Sequence, residues 1–279
     1  MSKSIRSSEK VSPTAYATGN LWVRLGLSHP ALSTPQGRRL DRAFSLLMRA
    51  IGGTSFGTLM HARHVGIDGQ LSKAIEEGRV GTVIEIAAGL SGRGIRMMKK
   101  YGKKIQYIET DLPHMAALKR ERLQSADLLS KRHRVIELNA LADKGPDSLT
   151  ALMKTLDKTK GVAIITEGLM NYLSPDEARG VWARIAKNLK PFPHGLYLAD
   201  AYLMRGNRSI PAIIFGAVLS VFVRGRMHVH FKTSAHGIEV MHKAGFKTVA
   251  LHEPRSLPAT RKIATKPGGN RVLILEANT

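Results

Sequence analysis

Short apolar runs alternate with amphipathic stretches along most of the chain. The run at 82–87 is brief and mostly apolar, as expected for a strand buried on both faces of a parallel sheet. Six similar runs predict further strands, near 105–110, 134–138, 162–166, 196–200, 246–251 and 272–276. Apolar residues at helical spacing predict helices near 92–101, 113–125, 148–156, 175–189 and 234–244. Upstream, the same spacing predicts helices over 38–51 and 65–77.

Strands that alternate with helices predict an α/β fold: a doubly wound, mostly parallel seven-stranded sheet with helices on both faces, preceded by N-terminal helices. In such a fold ligands bind at the carboxyl ends of the strands. The segment 202–232 interrupts the alternation with an apolar run, 210–223. We predict that this segment forms a small cap insertion over the ligand crevice.

Composition narrows the chemistry. The absence of cysteine excludes disulfides, thiolate metal sites and a cysteine nucleophile. Lysine and arginine number 43 against 21 acidic residues, a net charge of +22 that attracts anionic partners. Nucleic acid, an anionic membrane surface and an acidic small substrate all fit this charge, as does a solvated basic surface without a partner. Aromatic residues make up only 5%, which disfavours nucleic acid bound by base stacking.

Targeting signals are not apparent. The polar stretch 1–18 lacks the apolar core of a secretory signal, so we expect a cytoplasmic protein. The apolar run 210–223 contains Pro211 and is shorter than the roughly 20 residues that span a bilayer. We predict no transmembrane segment.

Small residues follow the first predicted strand. Glu85 lies near its end, and Ala87, Ala88 and Gly89 lead into a helix. Small side chains let the backbone approach a ligand, and the start of a helix offers free N–H groups. The G-x-G-x-x-G dinucleotide pattern is absent. A tight turn without a ligand remains the alternative.

Asp111 ends the next strand, about twenty residues further on. An acid at this place in nucleoside-binding folds accepts hydrogen bonds from ribose hydroxyls. It could equally cap the helix that begins at Pro113.

Three motifs in order resemble the leucine carboxyl methyltransferase family, which includes O-methyltransferases of bacterial and fungal secondary metabolism. They are EIAAGLSGR at 85–93, ETDLP at 109–113 with Lys119 beyond it, and TEGLMNYLS at 166–174. SPTA at 12–15 and RHVGID at 63–68 also resemble the family's N-terminal pattern.

The resemblance implies a Rossmann-like methyltransferase that uses S-adenosylmethionine. Residues 1–80 would then form a helical segment covering the cofactor, and 81–279 the catalytic domain with its cap. Arg63 would bind the cofactor carboxylate and Tyr172 would lie near the transferred methyl group, with Glu167 beside it as a catalytic residue. The remaining implied cofactor contacts are Glu85, Ala87, Gly89, Asp111, Leu112, Asn139, Ala140, Glu167 and Gly168. Taken alone, Arg63 fits a solvated helix face, Glu167 a turn cap and Tyr172 the core.

The sequence also departs from the family. Its usual Gly-x-Gly is Ala87-Ala-Gly89 here, and Ser91-Gly92 replaces the Asp-Thr pair before the loop arginine. These departures put in doubt a transfer of the family's eukaryotic substrate, the C-terminal leucine of a phosphatase subunit.

We predict a carboxylate of a small acidic metabolite as the acceptor, since an ionised carboxylate needs no general base. The substrate candidates are Arg205, Arg208, Arg224 and Arg226, which flank the cap, and His228. Alternatives are a phenol or alcohol with a histidine as base, a protein C-terminal carboxylate, and a basic nucleic-acid-binding module on a degenerate methyltransferase fold. His228 and His230 would point the same way on an extended segment, but without a third ligand we predict no metal.

Overall fold

The computed structural model describes residues 13–50, 56–204 and 227–279. Three α-helices precede the sheet: α1 (Pro13–Arg24), α2 (Pro35–Ala50) and α3 (Phe56–Glu76). A 3₁₀ turn, Pro30–Leu32, connects α1 to α2. α1 packs along α2, whereas α3 lies against β5 and β7 of the sheet defined below.

Seven strands form one sheet in the order β3-β2-β1-β4-β5-β7-β6. The strands are β1 (Thr82–Ile86), β2 (Gln106–Asp111), β3 (His133–Glu137), β4 (Val162–Thr166), β5 (Gly195–Ala201), β6 (Thr248–His252) and β7 (Leu273–Asn278). β1 to β5 are parallel, and β7 is antiparallel to both β5 and β6. The predicted doubly wound, mostly parallel seven-stranded sheet is thus confirmed.

The remaining α-helices are α4 (Arg93–Tyr101), α5 (Pro113–Ser125), α6 (Leu149–Lys154), α7 (Pro175–Leu189), α8 (Ser234–Ala244) and α9 (Arg261–Ala264). Short 3₁₀ turns occur at Gly102–Lys104, Met170–Tyr172 and Pro254–Ser256. α7 begins where the sequence predicts because Ser174 and Glu177 form a capping box ahead of Pro175 at the first position.

Alternate residues of the strands feed two cores, one on each side of the sheet. Ile84 and Ile164 pack with Trp182 on one side. Val83 and Ala163 pack with residues of α3, including Leu71, on the other. Burial on both faces accounts for the apolar runs in the sequence. Because both faces of the sheet are covered, polar sites are expected at the two edges where the strands begin and where they end.

Two elements differ from the prediction. α1 was not predicted, and α3 begins at Phe56 rather than near residue 65. The face of α3 that meets the sheet includes glycine: a Cβ on Gly66 would lie 2.7 Å from the Ile274 side chain. The late predicted start has another cause: the first turns of α3 bury the polar side chains Arg63 and His64, which do not register in a pattern of apolar residues.

The predicted cap lies mostly outside the described residues, which omit 205–226. Its two ends lie side by side: Leu203 bridges Phe231, and the N–H of Met204 donates to the Phe231 carbonyl at 2.9 Å. Among the described helices, none combines the length and apolarity that a membrane crossing demands.

Candidate functional site

The crevice lies at the carboxyl ends of β1 and β4, where the strand order reverses direction. The loop after β1 is shaped by two residues with positive φ, Ala87 at 53° and Gly89 at 50°. A positive φ is uncommon for alanine and costs energy, so the turn is held by its surroundings.

Asp111 helps to fix the conformation of this turn. Its Oδ2 accepts a hydrogen bond from the Gly89 N–H at 2.7 Å, and its Oδ1 accepts one from the Leu112 N–H at 2.8 Å. Burial raises the pKa of Asp111, against the lowering effect of these two amides and of Lys119. Leu112, and not Asp111, is the N-cap of α5, where no side chain makes a capping bond. Asp111 therefore joins the β1 loop to β2 and retains unused acceptor capacity on each oxygen.

Lys119 contacts the same loop after β1. Its ammonium pairs with Glu109 and lies 3.4 Å from the Ala88 carbonyl oxygen. His133 contacts the other oxygen of Glu109, with 2.6 Å between Nε2 and Oε1. Burial alone would raise the pKa of Glu109, but Lys119 and His133 lower it below its ordinary value.

A buried cluster of charges underlies the crevice, with Arg93 at its centre. Arg93 is fully buried, and each of its three nitrogens meets a carboxylate. Nε lies 2.5 Å from an Asp68 oxygen, Nη1 lies 2.5 Å from Glu85 Oε1, and Nη2 pairs with Glu167. Arg96 also pairs with Asp68. We call these residues, together with Arg63, His64 and Asp200, the ionic cluster.

Glu167 connects the ionic cluster to the crevice. Its Oε1 accepts from Arg63 Nε at 2.8 Å, and its Oε2 lies 2.7 Å from His64 Nδ1. Burial alone would raise the pKa of Glu167, but His64, Arg93 and Arg63 hold it well below the ordinary value. The His64 ring stacks on Trp22 of α1, with ring centroids 4.3 Å apart. Glu167 is therefore ionised and fixed by three partners.

Asp200, at the end of β5, completes the cluster. Its Oδ2 lies 3.5 Å from Arg63 Nη1, and its Oδ1 accepts from the Gly168 N–H at 2.8 Å. Burial raises the pKa of Asp200, opposed by Arg63 and by the Gly168 amide. Gly168 has φ 67°, and a Cβ there would lie 3.3 Å from Arg63 Nη2. A glycine is therefore needed beside Arg63.

α1 closes one side of the crevice. A Cβ on Gly19 would lie 2.5 Å from Leu90 Cβ, and a Cβ on Gly89 would lie 3.6 Å from Ala15. Tyr172 lies beside Thr14 of α1, and burial raises the pKa of Tyr172. The helix that was not predicted from the sequence thus borders both the β1 loop and the turn after β4.

The structure brings most of the predicted residues to this edge. Arg63, Glu167 and Gly168 meet in the ionic cluster, and Asp111 and Leu112 meet the Ala87–Gly89 turn. Glu85 lies deeper: its two oxygens are taken by Arg93 and, at 2.7 Å, by the Tyr107 hydroxyl. Its predicted cofactor contact remains a prediction.

Asn139 and Ala140 follow β3, and the neighbouring Leu138 N–H donates to the Asp111 carbonyl at 2.9 Å. Asn139 Oδ1 already accepts from the Leu141 N–H at 3.0 Å. One lone pair remains for the predicted hydrogen bond from an adenine amino group.

His228 lies against the turn after β4. The backbone N–H of His228 donates to the Asn171 carbonyl, and Asn171 Nδ2 donates to the His228 carbonyl, both at 2.8 Å. The rings of His228 and His230 stack with centroids 6.3 Å apart, although 227–230 form no regular strand. Within the described ranges, no three histidine, aspartate or glutamate side chains are grouped for a metal. Arg205, Arg208, Arg224 and Arg226 lie outside the described residues.

Sequence reasoning assigned no role to His64, Asp68, Arg93 or Asp200. The first three lie inside the quoted motifs, so their presence in RHVGID and in the β1 loop was a signal. Asp200 ends a buried strand, which is the place where an acid points to a site.

Comparisons with known proteins give the family and the fold of the chain. A model of the leucine carboxyl methyltransferase family matches residues 37–186, more than half of the chain. No curated protein matches the sequence significantly.

Solved structures with the same fold include the S-adenosylmethionine-dependent methyltransferase SibL in its apo form, at 12% identity and a TM-score of 0.54, covering 98% of this chain and 71% of SibL. PigF with S-adenosylhomocysteine is 14% identical with a TM-score of 0.54, covering 98% of this chain and 72% of PigF. Human N-acetylserotonin methyltransferase in complex with S-adenosylmethionine is 15% identical with a TM-score of 0.51, covering 95% and 66% of the two chains.

The sheet order and the family match define the class: this is a Rossmann-like methyltransferase dependent on S-adenosylmethionine. Within that class the chain belongs to the leucine carboxyl methyltransferase family.

Proposed function

We propose that the protein transfers the methyl group of S-adenosylmethionine to a carboxylate oxygen of a small acidic acceptor. The observation that carries the proposal is the joining of Asp111, the Ala87–Gly89 turn and the ionic cluster at one edge of the sheet. The family model supports the oxygen of a carboxyl group as the target.

The donor set fits the cofactor. Asp111 has acceptor capacity left for ribose hydroxyls, and Asn139 has one lone pair for an adenine amino group. Small residues in the β1 loop permit close approach. Arg63 would bind the cofactor carboxylate, with Glu167 and Asp200 holding its guanidinium in place. When bound, the cofactor supplies an electrophilic methyl group on a cationic sulfur.

Placement is the chief task of the protein in this reaction. The residues that would hold the cofactor are those named above, and the chain would have to hold the acceptor oxygen in line with the methyl group that the cofactor would supply. An ionised carboxylate has no proton to lose, so rate comes from alignment and from exclusion of water. α1 covers the crevice on one side, where Gly19 packs on Leu90 and Ala15 lies near Gly89. The N-terminal helices are thus proposed to act as the cover of the cofactor.

Calorimetry tests the cofactor site. Asp111→Ala should weaken binding of S-adenosylmethionine about tenfold or more, because hydrogen bonds to a charged group are worth about 1.5–3 kcal/mol. Glu137→Ala, which removes an exposed acid at the end of neighbouring β3, is the matched control and should leave the affinity unchanged. Absence of binding by the wild-type protein would refute the proposal.

The acceptor class is tested separately. A panel of carboxylic acids is incubated with protein and cofactor, and methyl esters are detected by mass and by their hydrolysis in mild alkali. Cofactor binding without ester formation on any acid would contradict the carboxylate while leaving the methyltransferase intact.

A phenol or alcohol acceptor is the second candidate, because His228 is fixed beside the turn that carries Tyr172. A base would then be needed, so the rate should rise with pH and fall strongly in His228→Ala. A carboxylate acceptor predicts a rate that changes little across neutral pH.

A further inference from the structure

The edge of the sheet opposite the crevice carries a broad surface of exposed cations. β1 to β5 run parallel, and β6 runs with them because β7 is antiparallel to both β5 and β6. The loops that enter these strands therefore meet at one edge, which we call the basal edge. Exposed cations precede β2 at Lys103 and Lys104, and precede β3 at Lys131 and Arg132.

The pattern continues across the sheet. Lys158 and Lys160 are exposed before β4, and Lys247 is exposed before β6. Four separate loops thus place their cations at the same edge, from one side of the sheet to the other. The clusters look scattered in the sequence, but the topology gathers them.

Helix dipoles explain other cations at this edge. The last turns of α4, α7 and α8 contain Lys99, Lys187 and Lys243, and Lys190 is the C-cap of α7. Cations there stabilise the helix itself. The loop cations lie beyond the ends of the α-helices, so this local benefit does not account for them.

Acidic residues compensate the loop cations only in part, since Glu76 interacts electrostatically with Lys104 and Asp157 with Lys160. Glu76 pairs with Lys100, and Glu77 pairs with Arg79. Asp157 accepts from the Thr159 hydroxyl at 2.7 Å and from its N–H at 3.0 Å. In the described part of the chain, none of the seven loop cations makes an ion pair with a carboxylate. The basal edge therefore carries an excess of positive charge.

The width of the basal edge and the types of its loop cations indicate the kind of partner. Seven strands spaced about 4.8 Å apart make an edge about 29 Å wide. All but one of the loop cations are lysines, compact point charges on flexible stems, whereas arginine is the usual residue for bidentate contacts to phosphates and bases. A wide lysine surface complements an anionic lipid leaflet, in which each nearby lysine adds attraction.

We propose that the basal edge docks on an anionic membrane surface. The crevice would then face away from the membrane, and cofactor and acceptor would enter from solution. This proposal is independent of the acceptor, because its residues lie at the opposite edge from the ionic cluster.

Two charge-matched variants test it. The basal variant carries Lys103→Glu, Lys104→Glu, Lys131→Glu and Lys158→Glu. The control variant carries four reversals of exposed cations away from this edge, on α2 and α9: Arg39→Glu, Arg42→Glu, Arg261→Glu and Lys262→Glu. Both change the net charge equally, and thermal unfolding confirms that each is folded.

Cosedimentation with vesicles gives the readout. Wild type and control should bind vesicles of phosphatidylcholine with phosphatidylserine, should not bind pure phosphatidylcholine, and should dissociate in high salt. The basal variant should bind about a thousandfold more weakly, because each of the four lysines near an anionic leaflet contributes about 1 kcal/mol.

Three results would overturn the proposal. The first is a wild type that does not bind anionic vesicles at low salt. The second is an equal loss of binding in both variants, which would show that net charge matters and its position does not. The third is tight binding of wild type to a mixed-sequence DNA duplex without binding to vesicles, which would assign the surface to nucleic acid.

Discussion

At the scale of single residues, the site depends on side chains and backbone that tolerate little change. Gly168 shows this most directly, because its positive φ and its closeness to Arg63 both act against a side chain. The neighbouring N–H of Gly168 also holds Asp200. One residue thus sets the position of two members of the ionic cluster.

We expect Gly168→Ala to destabilise the protein by about 1–2 kcal/mol, from left-handed strain and from contact with the guanidinium. Gly180→Ala is the matched control: Gly180 is exposed within α7, and a Cβ there would meet nothing within 4 Å. Because glycine is unfavourable inside a helix, Gly180→Ala should stabilise by about 0.5–1 kcal/mol. Urea unfolding measures both, and effects of the same sign would contradict the account.

At the scale of elements, the pattern of apolar residues predicted the sheet and α2 well, but it missed α1 and the first turns of α3. Val162–Thr166 is fully buried on both faces, so its apolar run identified β4 to the residue. α1 lies where the sequence is rich in small and polar residues, including Thr14 and Gly19, and its packing depends on closeness to Leu90.

The ionic cluster could not be predicted from periodicity either. Its pairs join residues far apart in the chain, such as Arg93 with Glu167 and Arg63 with Asp200. Three of the motifs contain members of the cluster, at 63–68, 85–93 and 166–174, but only the fold brings these members together.

The contact between α1 and the β1 loop gives a prediction about the helix as a unit. Gly19→Ala places a Cβ against Leu90 and should cost about 1–3 kcal/mol, as overpacking does. It should also weaken cofactor binding, because α1 must move away from the crevice. Gly57→Ala, near the start of α3 with open space around it, is the control for both measurements. Unchanged affinity in Gly19→Ala would separate α1 from the site.

At the scale of the whole molecule, buried carboxylates make stability depend on pH. The pKa values of Asp68, Glu109 and Glu167 are lowered in the folded protein by neighbouring cations, in spite of burial. A lowered folded pKa contributes stability above the unfolded pKa of about 4, and this is lost as the pH falls toward the folded value. Asp111 and Asp200, with raised pKa values, act in the opposite direction.

Comparing the wild type with Glu167→Gln isolates the contribution of the Glu167 charge to stability. The difference in unfolding free energy between wild type and variant should be largest near neutral pH and should shrink as the pH falls below about 4. Urea unfolding from pH 3 to pH 7 at constant salt gives this difference. A gap that stays constant with pH would show that the charge of Glu167 does not stabilise the fold.

The packing of α3 has a consequence for the order of assembly. This helix precedes the whole sheet in the chain, yet its Gly66 packs on Ile274 of β7, and its Arg63 needs Asp200 of β5. During synthesis, the charges of α3 must stay hydrated until the later strands have emerged, since a buried charge without its partner is costly. Residues made early therefore become part of the native core only when nearly the whole chain is present, which favours a slow, late closing step over growth from the N-terminus.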